Sequence, residues 1–176
     1  CLVKALVDQG AKKVYASARD PSAVEDLVSL HPGIVQSVVL DIADASSVTQ
    51  AALGCSDVEV LINNAGVNRT RGLIAASDLD SAREEMETNY FGTLSMCRAF
   101  APVLKTNGGG CIVNLLSILS RVALPLMGSL CASKAAALRL TEGVRAELSA
   151  QNTLVIAVMP GAVDTDMSKD FPPPKM

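Results

Sequence analysis

Short apolar segments of strand type alternate with helical segments along the whole chain, and no other feature restricts the possible folds as much. Each segment is bounded by Gly, Pro, Asn or Asp, the residues that commonly end strands and helices. Predicted strands cover residues 12–18, 34–42, 58–62, 111–116 and 153–159, and predicted helices cover residues 2–9, 21–30, 45–53, 81–105 and 129–150. This alternation is typical of an α/β fold built on a parallel sheet.

The helix predicted at 81–105 opens with Ser-Ala-Arg-Glu, a capping-box pattern that places its start at Ser81. Helical spacing of mostly apolar residues predicts its buried side. These residues are Met86, Tyr90, Thr93, Leu94, Cys97, Phe100 and Leu104. The strand at 111–116 is an almost continuous apolar run, which favours a strand covered by helices on both faces.

Composition excludes several classes of protein. With 176 residues, 49% of them hydrophobic, the chain is sufficient for one domain with a sizeable core. A net charge of −3 with scattered basic residues predicts no nucleic-acid partner, and no apolar run is long enough to predict a membrane span. The five cysteines lack metal-ligand spacing, so we expect no metal site, reduced core thiols (Cys131 included) and a cytoplasmic location.

Four short motifs carry the chemical information. An Asn-Asn-Ala-Gly turn at 63–66 follows the third predicted strand, and Asn89 begins an Asn-Tyr-Phe-Gly-Thr segment. Ser117 closes the fourth strand, and thirteen residues later comes Leu130, which opens a Leu-Cys-Ala-Ser-Lys motif. In this order and spacing, the motifs resemble the short-chain dehydrogenase/reductase (SDR) family over almost the whole chain. The resemblance implies a Rossmann-type doubly wound parallel sheet in three αβα layers, as a single partial NAD(P)-binding domain at 1–176.

The resemblance implies hydride exchange between a nicotinamide cofactor and a small carbonyl or alcohol substrate. In the family, a tyrosine moves the proton, and a lysine four residues later lowers the tyrosine pKa and holds the nicotinamide ribose. A cationic neighbour is needed because a free tyrosine titrates near 10. Lys134 matches the family lysine, whereas Leu130 occupies the tyrosine position. We therefore expect little or no catalysis by the chain as it stands.

Two more positions match family catalytic residues. Ser117 matches the serine that hydrogen-bonds the substrate oxygen, with Ser120 as an alternative that would merely form a turn. Asn89 matches the asparagine of a water-mediated proton relay; the alternative is an ordinary surface asparagine. The resemblance assigns cofactor contacts to Arg19, Asp41, Asn63, Ala65, Gly66, Lys134, Pro160, Gly161 and Thr165.

The end of the first predicted strand indicates which cofactor is preferred. Sites for NAD usually place an acid there, whereas NADP needs a cation for its 2′-phosphate. Ala18 stands at the acid position and Arg19 follows it, so we expect NADP in preference to NAD. The alternative is that Arg19 only pairs with the neighbouring Asp20.

The family's glycine-rich turn and the strand before it have no counterpart in these residues, and neither has its substrate-covering segment. We therefore expect a fragment truncated at both ends. Loss of a central strand would leave buried backbone groups unpaired, at about 1–3 kcal/mol each, so the fragment would fold poorly. The substrate cannot be inferred.

Three hypotheses follow. The first is a truncated NADP-dependent reductase or dehydrogenase disabled at residue 130. The second is a non-catalytic nucleotide-binding or oligomerisation partner, associating as a dimer or tetramer through the helices at 81–105 and 129–150. The third is a fragment without a stable fold.

Overall fold

The computed structural model describes residues 2–163, which form two compact units, one within residues 1–56 and one within residues 57–176. Parallel strands flanked by helices build each unit, which confirms the predicted α/β class. The described strands form two sheets, one of β1 and β2 and one in the order β3-β4-β5.

The first unit is a short β-α-β-α arrangement preceded by a helix. Its elements are α1 (Leu2–Asp8), β1 (Val14–Ala18), a 3₁₀ turn (Pro21–Val24), α2 (Glu25–Leu30), β2 (Val35–Val39) and α3 (Ala45–Gly54). Val14, Ala16, Val24 and Val35 form its core, against which α1 and α2 pack apolar side chains. The carboxylates of Asp20 and Asp44 accept backbone N–H bonds at the starts of the 3₁₀ turn and of α3.

The second unit carries three parallel strands and the two long helical segments. Its elements are β3 (Val60–Asn63), α4 (Asp80–Met86), α5 (Thr93–Thr106), β4 (Gly110–Leu115), α6 (Gly128–Leu148) and β5 (Thr153–Val158). The register sets Asn63 opposite Asn114 and Leu115 opposite Val158, so the carboxyl ends of all three strands meet at one edge. The turn at 63–66 and Ser117 follow β3 and β4 at this edge.

A π-helical segment at Glu87–Gly92 joins α4 to α5, and no sequence pattern predicted it. A π turn takes in one residue more than an α turn, so it shifts which side of the helix faces the core. Thr93, Cys97, Phe100 and Leu104 are buried as predicted. Met86, Tyr90 and Leu94 are only partly buried, and Glu85 and Asn89 lie in the interior instead.

The predicted capping box at Ser81 is wrong. Helix α4 begins at Asp80, and its preceding residue makes no side-chain cap. The carboxylate of Asp78 accepts a hydrogen bond from the Asp80 N–H instead, at 3.0 Å. This local turn satisfies one backbone N–H group at the helix start.

Within residues 2–163, no helix is both long and apolar enough to cross a bilayer, and no group of three or more His, Cys, Asp or Glu side chains is arranged to hold a metal ion. Cys55, Cys97 and Cys131 are buried and Cys111 is partly buried, and none of these four forms a disulfide bond within the described residues. Burial raises the pKa of Cys97 to about 11, so that thiol stays protonated at neutral pH. Four of the five cysteines are therefore packing residues, as predicted.

Candidate functional site

A buried chain of polar side chains fixes the turn at 63–66. The Asn63 amide donates to Asn114 Oδ1 at 2.8 Å, and the Asn114 amide donates to Thr141 Oγ1 at 2.9 Å. Asn114 and Thr141 are both 0% exposed. These two hydrogen bonds connect β3, β4 and α6, so the turn at 63–66 begins at a firmly held residue, Asn63. The structural roles of Asn114 and Thr141 were not predicted from the sequence, although an asparagine inside a mostly apolar strand was an available signal.

Asn89 lies in the π-helical segment, is 1% exposed and is not a surface residue. Its Oδ1 accepts from the Val67 N–H at 2.9 Å, and its Nδ2 donates to the Val67 carbonyl at 3.0 Å. Nδ2 also donates to Ser133 Oγ at 3.0 Å. Both amide hydrogens are therefore engaged in holding the segment after the turn against α6. A part in a proton relay stays a prediction.

Gly66 brings the turn against both Asn89 and Lys134. A Cβ on Gly66 would lie 3.0 Å from Asn89 Oδ1 and 3.4 Å from Lys134 Nζ. Three motifs that are far apart in the sequence are thus within contact distance of one another. The absence of a side chain at residue 66 is what permits this approach.

Lys134 presents a half-buried ammonium group at this edge. Its Nζ donates to the Leu115 carbonyl, the last residue of β4, at 3.3 Å. Burial lowers the pKa of Lys134 from its ordinary value. None of the ion pairs within residues 2–163 includes it. An ammonium group has three donors, so Lys134 retains donors for the hydroxyl groups of a ligand.

Leu130 lies one turn before Lys134 on α6 and is 7% exposed. It packs with Met127, Cys131 and Leu119 in an apolar cluster. The Cys131 Sγ accepts from the Leu124 N–H at 3.4 Å, which agrees with the predicted packing role. Position 130 therefore supplies neither a proton nor a hydrogen bond through its side chain.

Ser117 follows β4 in extended conformation and caps the 3₁₀ turn at Ile118–Ser120, with its Oγ accepting from the Leu119 N–H at 3.1 Å. The next residue, Ile118, donates its N–H to the Pro160 carbonyl at 2.9 Å, which ties this turn to the end of β5. The Oγ of Ser120 is buried and has no hydrogen-bond partner in the described part of the chain. The alternative serine is therefore turned into the protein, whereas Ser117 stands at the strand end.

In the first unit, Arg19 is exposed and directly follows β1. The Asp20 carboxylate accepts from the Ser22 N–H at 3.0 Å, a bond that lowers the pKa of Asp20. The ion pairs recorded within residues 2–163 do not join Arg19 to Asp20. Asp41 shapes the turn before α3, with its Oδ1 accepting from the Ala43 N–H at 2.9 Å.

The remaining predicted cofactor contacts are distributed around the turns of the second unit. Asn63 and Ala65 belong to the turn at 63–66, where Asn63 is partly buried and Ala65 is exposed. Pro160 and Gly161 follow β5. Thr165 lies outside the described residues.

Parallel strands flanked by helices, with their carboxyl ends at one edge of the sheet, define a Rossmann-type α/β fold. The model of the short chain dehydrogenase family matches residues 1–175, and the chain belongs to this family.

Solved structures and curated proteins agree with this assignment. A short chain dehydrogenase from Burkholderia cenocepacia J2315, solved in complex with NADP, is 53% identical, with a TM-score of 0.94 over 99% of this chain and 72% of its own. A short-chain dehydrogenase from Streptomyces avermitilis is 28% identical, with a TM-score of 0.86 over 94% of this chain and 62% of its own. Dehydrogenase/reductase SDR family member 7B of Mus musculus is 34% identical over 90% of this chain. The chain spans about half the length of the curated relatives it matches, 52% of the mouse protein.

Proposed function

We propose that this chain carries the NADP(H) site of a short-chain oxidoreductase that has kept its binding and orienting residues but has no proton donor at residue 130. The observation that supports this most is the convergence of Gly66, Asn89 and Lys134 one helical turn from Leu130. Intact relatives would reduce a carbonyl or oxidise an alcohol.

Lys134 supports nucleotide binding. Its half-buried ammonium group forms no ion pair with a carboxylate in the described part of the chain, which is costly, and hydroxyl acceptors from a ribose would satisfy its remaining donors. Gly66 leaves the backbone of the turn open beside it. The donor set at this edge therefore fits a nicotinamide ribose, and the Burkholderia relative, at 53% identity, was solved with NADP.

Arg19 supports NADP in preference to NAD. It is exposed at the end of β1, with Ala18 where an acid would hydrogen-bond the ribose of NAD. A guanidinium group suits the 2′-phosphate because it can bind phosphate through two parallel hydrogen bonds.

The reaction explains why residue 130 matters. Bound NADPH would supply a hydride to the carbonyl carbon, and the carbonyl oxygen would then need a proton. Ser117 could orient that oxygen from the end of β4, but the Leu130 side chain has no proton to give. A general acid typically contributes about 10²–10⁴-fold to the rate. We therefore expect binding with little turnover.

Calorimetric titration tests the binding part of the proposal. We expect NADPH to bind more tightly than NADH, because only NADPH has the phosphate for Arg19. Arg19→Ala should remove this difference, and Lys134→Met should weaken both nucleotides. Arg98→Ala, an exposed arginine on α5, is the matched control and should change neither affinity. Equal affinities for NADPH and NADH, both unaffected by Lys134→Met, would contradict the proposal.

A second version of the chain, extended upstream of residue 1 by an apolar strand and a glycine-rich turn, is tested as well. If the 176-residue chain shows no binding, the same titrations on a version extended by such a segment decide the matter. No binding by the extended version would overturn the proposal.

A further inference from the structure

Glu85 is a buried carboxylate that the predicted chemistry does not use. It is 0% exposed, and its Oε1 accepts from the Arg69 N–H at 2.7 Å. Its Oε2 is buried and has no hydrogen-bond partner within the described residues. A carboxylate in the interior is unfavourable unless it is hydrogen-bonded, so this position calls for a structural or functional reason.

Glu85 stands one turn before Asn89, and both side chains bind the same short segment. Asn89 holds both backbone polar groups of Val67, and Glu85 holds the N–H of Arg69 two residues later. Two side chains of one helical segment thus bind residues 67–69 through three hydrogen bonds to the backbone. This segment directly follows Gly66, which lies against Lys134.

We propose that Glu85 is a positioning residue of the nucleotide site. By holding the Arg69 backbone, it fixes the course of residues 67–69 and so keeps Gly66 against the Lys134 ammonium group. Asn89 alone would leave the far end of the segment free to move away from α4. The part of this inference that concerns binding rests on the proposed function.

The neighbouring Glu84 offers a matched control. It also contacts Arg69, but through the guanidinium group, and both side chains are 45% exposed. An exposed ion pair of this kind contributes little to stability. If any contact with Arg69 were sufficient, substitutions of Glu84 and Glu85 would have similar effects on this segment. If the hydrogen bond to the Arg69 backbone is what matters, only the loss of the Glu85 acceptor should have an effect.

Three variants separate these cases. Glu85→Met removes the acceptor and keeps the length of the side chain, Glu85→Gln keeps an acceptor oxygen, and Glu84→Gln alters the exposed pair with the Arg69 guanidinium group. Amide hydrogen exchange at Arg69 and Val67 is measured together with NADPH affinity. We expect Glu85→Met to speed exchange at Arg69 about tenfold and to weaken NADPH about tenfold, as for loss of one buried hydrogen bond. Glu85→Gln and Glu84→Gln should each stay within about twofold of the original chain on both readouts.

Unchanged protection of the Arg69 amide in Glu85→Met would overturn the inference. Equal loss of protection at all amides would also overturn it, because Glu85 would then act on global stability. If the original chain binds no NADPH in either form, the proposed function fails, and the exchange at Arg69 still decides whether Glu85 positions residues 67–69.

Discussion

Among the single residues, Lys134 has the environment that most clearly departs from that of an ordinary surface side chain. Its ammonium group is half-buried, donates to one backbone carbonyl and takes part in none of the ion pairs recorded within residues 2–163. Burial disfavours the charged form and lowers the pKa of this lysine. Burial of this charge costs stability, and the remaining donors of the ammonium group would be satisfied by the proposed nucleotide.

The lowered pKa predicts a pH dependence of stability. Between the folded-state pKa of Lys134 and its ordinary value of 10.5, the unfolded chain binds more protons than the folded chain. The contribution of Lys134 to the free energy of unfolding should therefore rise with pH in that window. The Lys134→Met variant has no titrating group at this position. The stability of the original chain relative to this variant should therefore increase towards pH 10.5.

Urea unfolding of both proteins from pH 7 upward measures this difference. Lys105→Met, which changes an exposed lysine of α5, serves as the control and should show no such trend. A stability difference between the original chain and Lys134→Met that stays constant with pH would show that the ammonium group is not desolvated.

At the scale of secondary-structure elements, β4 and α6 are connected by the buried Asn114–Thr141 hydrogen bond. Thr141 accepts this bond and donates to the Ala137 carbonyl at 2.7 Å. Its removal leaves an amide hydrogen of Asn114 without a partner in the interior. A buried N–H group without an acceptor lowers the free energy of unfolding by more than the lost hydrogen bond contributed, because it is shielded from water and has no partner in the protein.

We predict that Thr141→Ala lowers the free energy of unfolding by about 1–3 kcal/mol. Thr106 offers a matched control on α5, since its hydroxyl also donates to the carbonyl four residues earlier but is exposed. Thr106→Ala should change the free energy of unfolding by less than about 0.5 kcal/mol. Chemical denaturation of the two variants makes the comparison. Similar losses in both would mean that the Asn114 bond adds nothing.

The predicted elements show how far sequence patterns reach. All five strands and the long helices were placed within a few residues, because apolar segments and their Gly, Pro and Asn boundaries are local signals. The turn at 63–66, Asn89 and Lys134 were matched through the family resemblance, and the structure brings them together. The burial of Asn89 could not be predicted, because this residue lies in the π-helical segment, which has no periodic signal in the sequence.

Glu85 is the clearest case of what was missed. A glutamate next to Glu84 in a polar helical segment reads as one more exposed charge. Only the structure shows that the two glutamates differ, because Glu85 is 0% exposed on α4 whereas the Glu84 side chain is 45% exposed.

At the scale of the whole molecule, the pairing of strand edges bears most on stability. No strand within residues 2–163 pairs with the edge of β3 that faces away from β4. An unpaired apolar strand edge is both unstable and prone to association with other chains. We expect an added parallel strand to contribute stability here.

An extension carrying an apolar strand and a glycine-rich turn upstream of residue 1 should therefore raise the unfolding midpoint. It should also make that midpoint depend on NADPH, since a ligand at about 100 times its Kd stabilises by about 2.7 kcal/mol. Thermal unfolding with and without NADPH measures both effects. A version with the same strand but with alanines for the glycines is the control, and should gain stability without gaining the NADPH dependence. A midpoint that does not move in the extended version would argue against the added strand.

The most direct test of the central claim is made at residue 130. Leu130→Tyr and Leu130→Phe differ by one hydroxyl group and are compared, as extended versions, for NADPH-dependent reduction of a broad panel of carbonyl compounds. We predict that Leu130→Tyr gains activity by at least about 10²-fold over the original residue, as expected for a general acid beside Lys134, while Leu130→Phe gains none. If both variants bind NADPH and both turn over nothing, or if Leu130→Phe gains as much as Leu130→Tyr, the absent proton donor is not what limits this site.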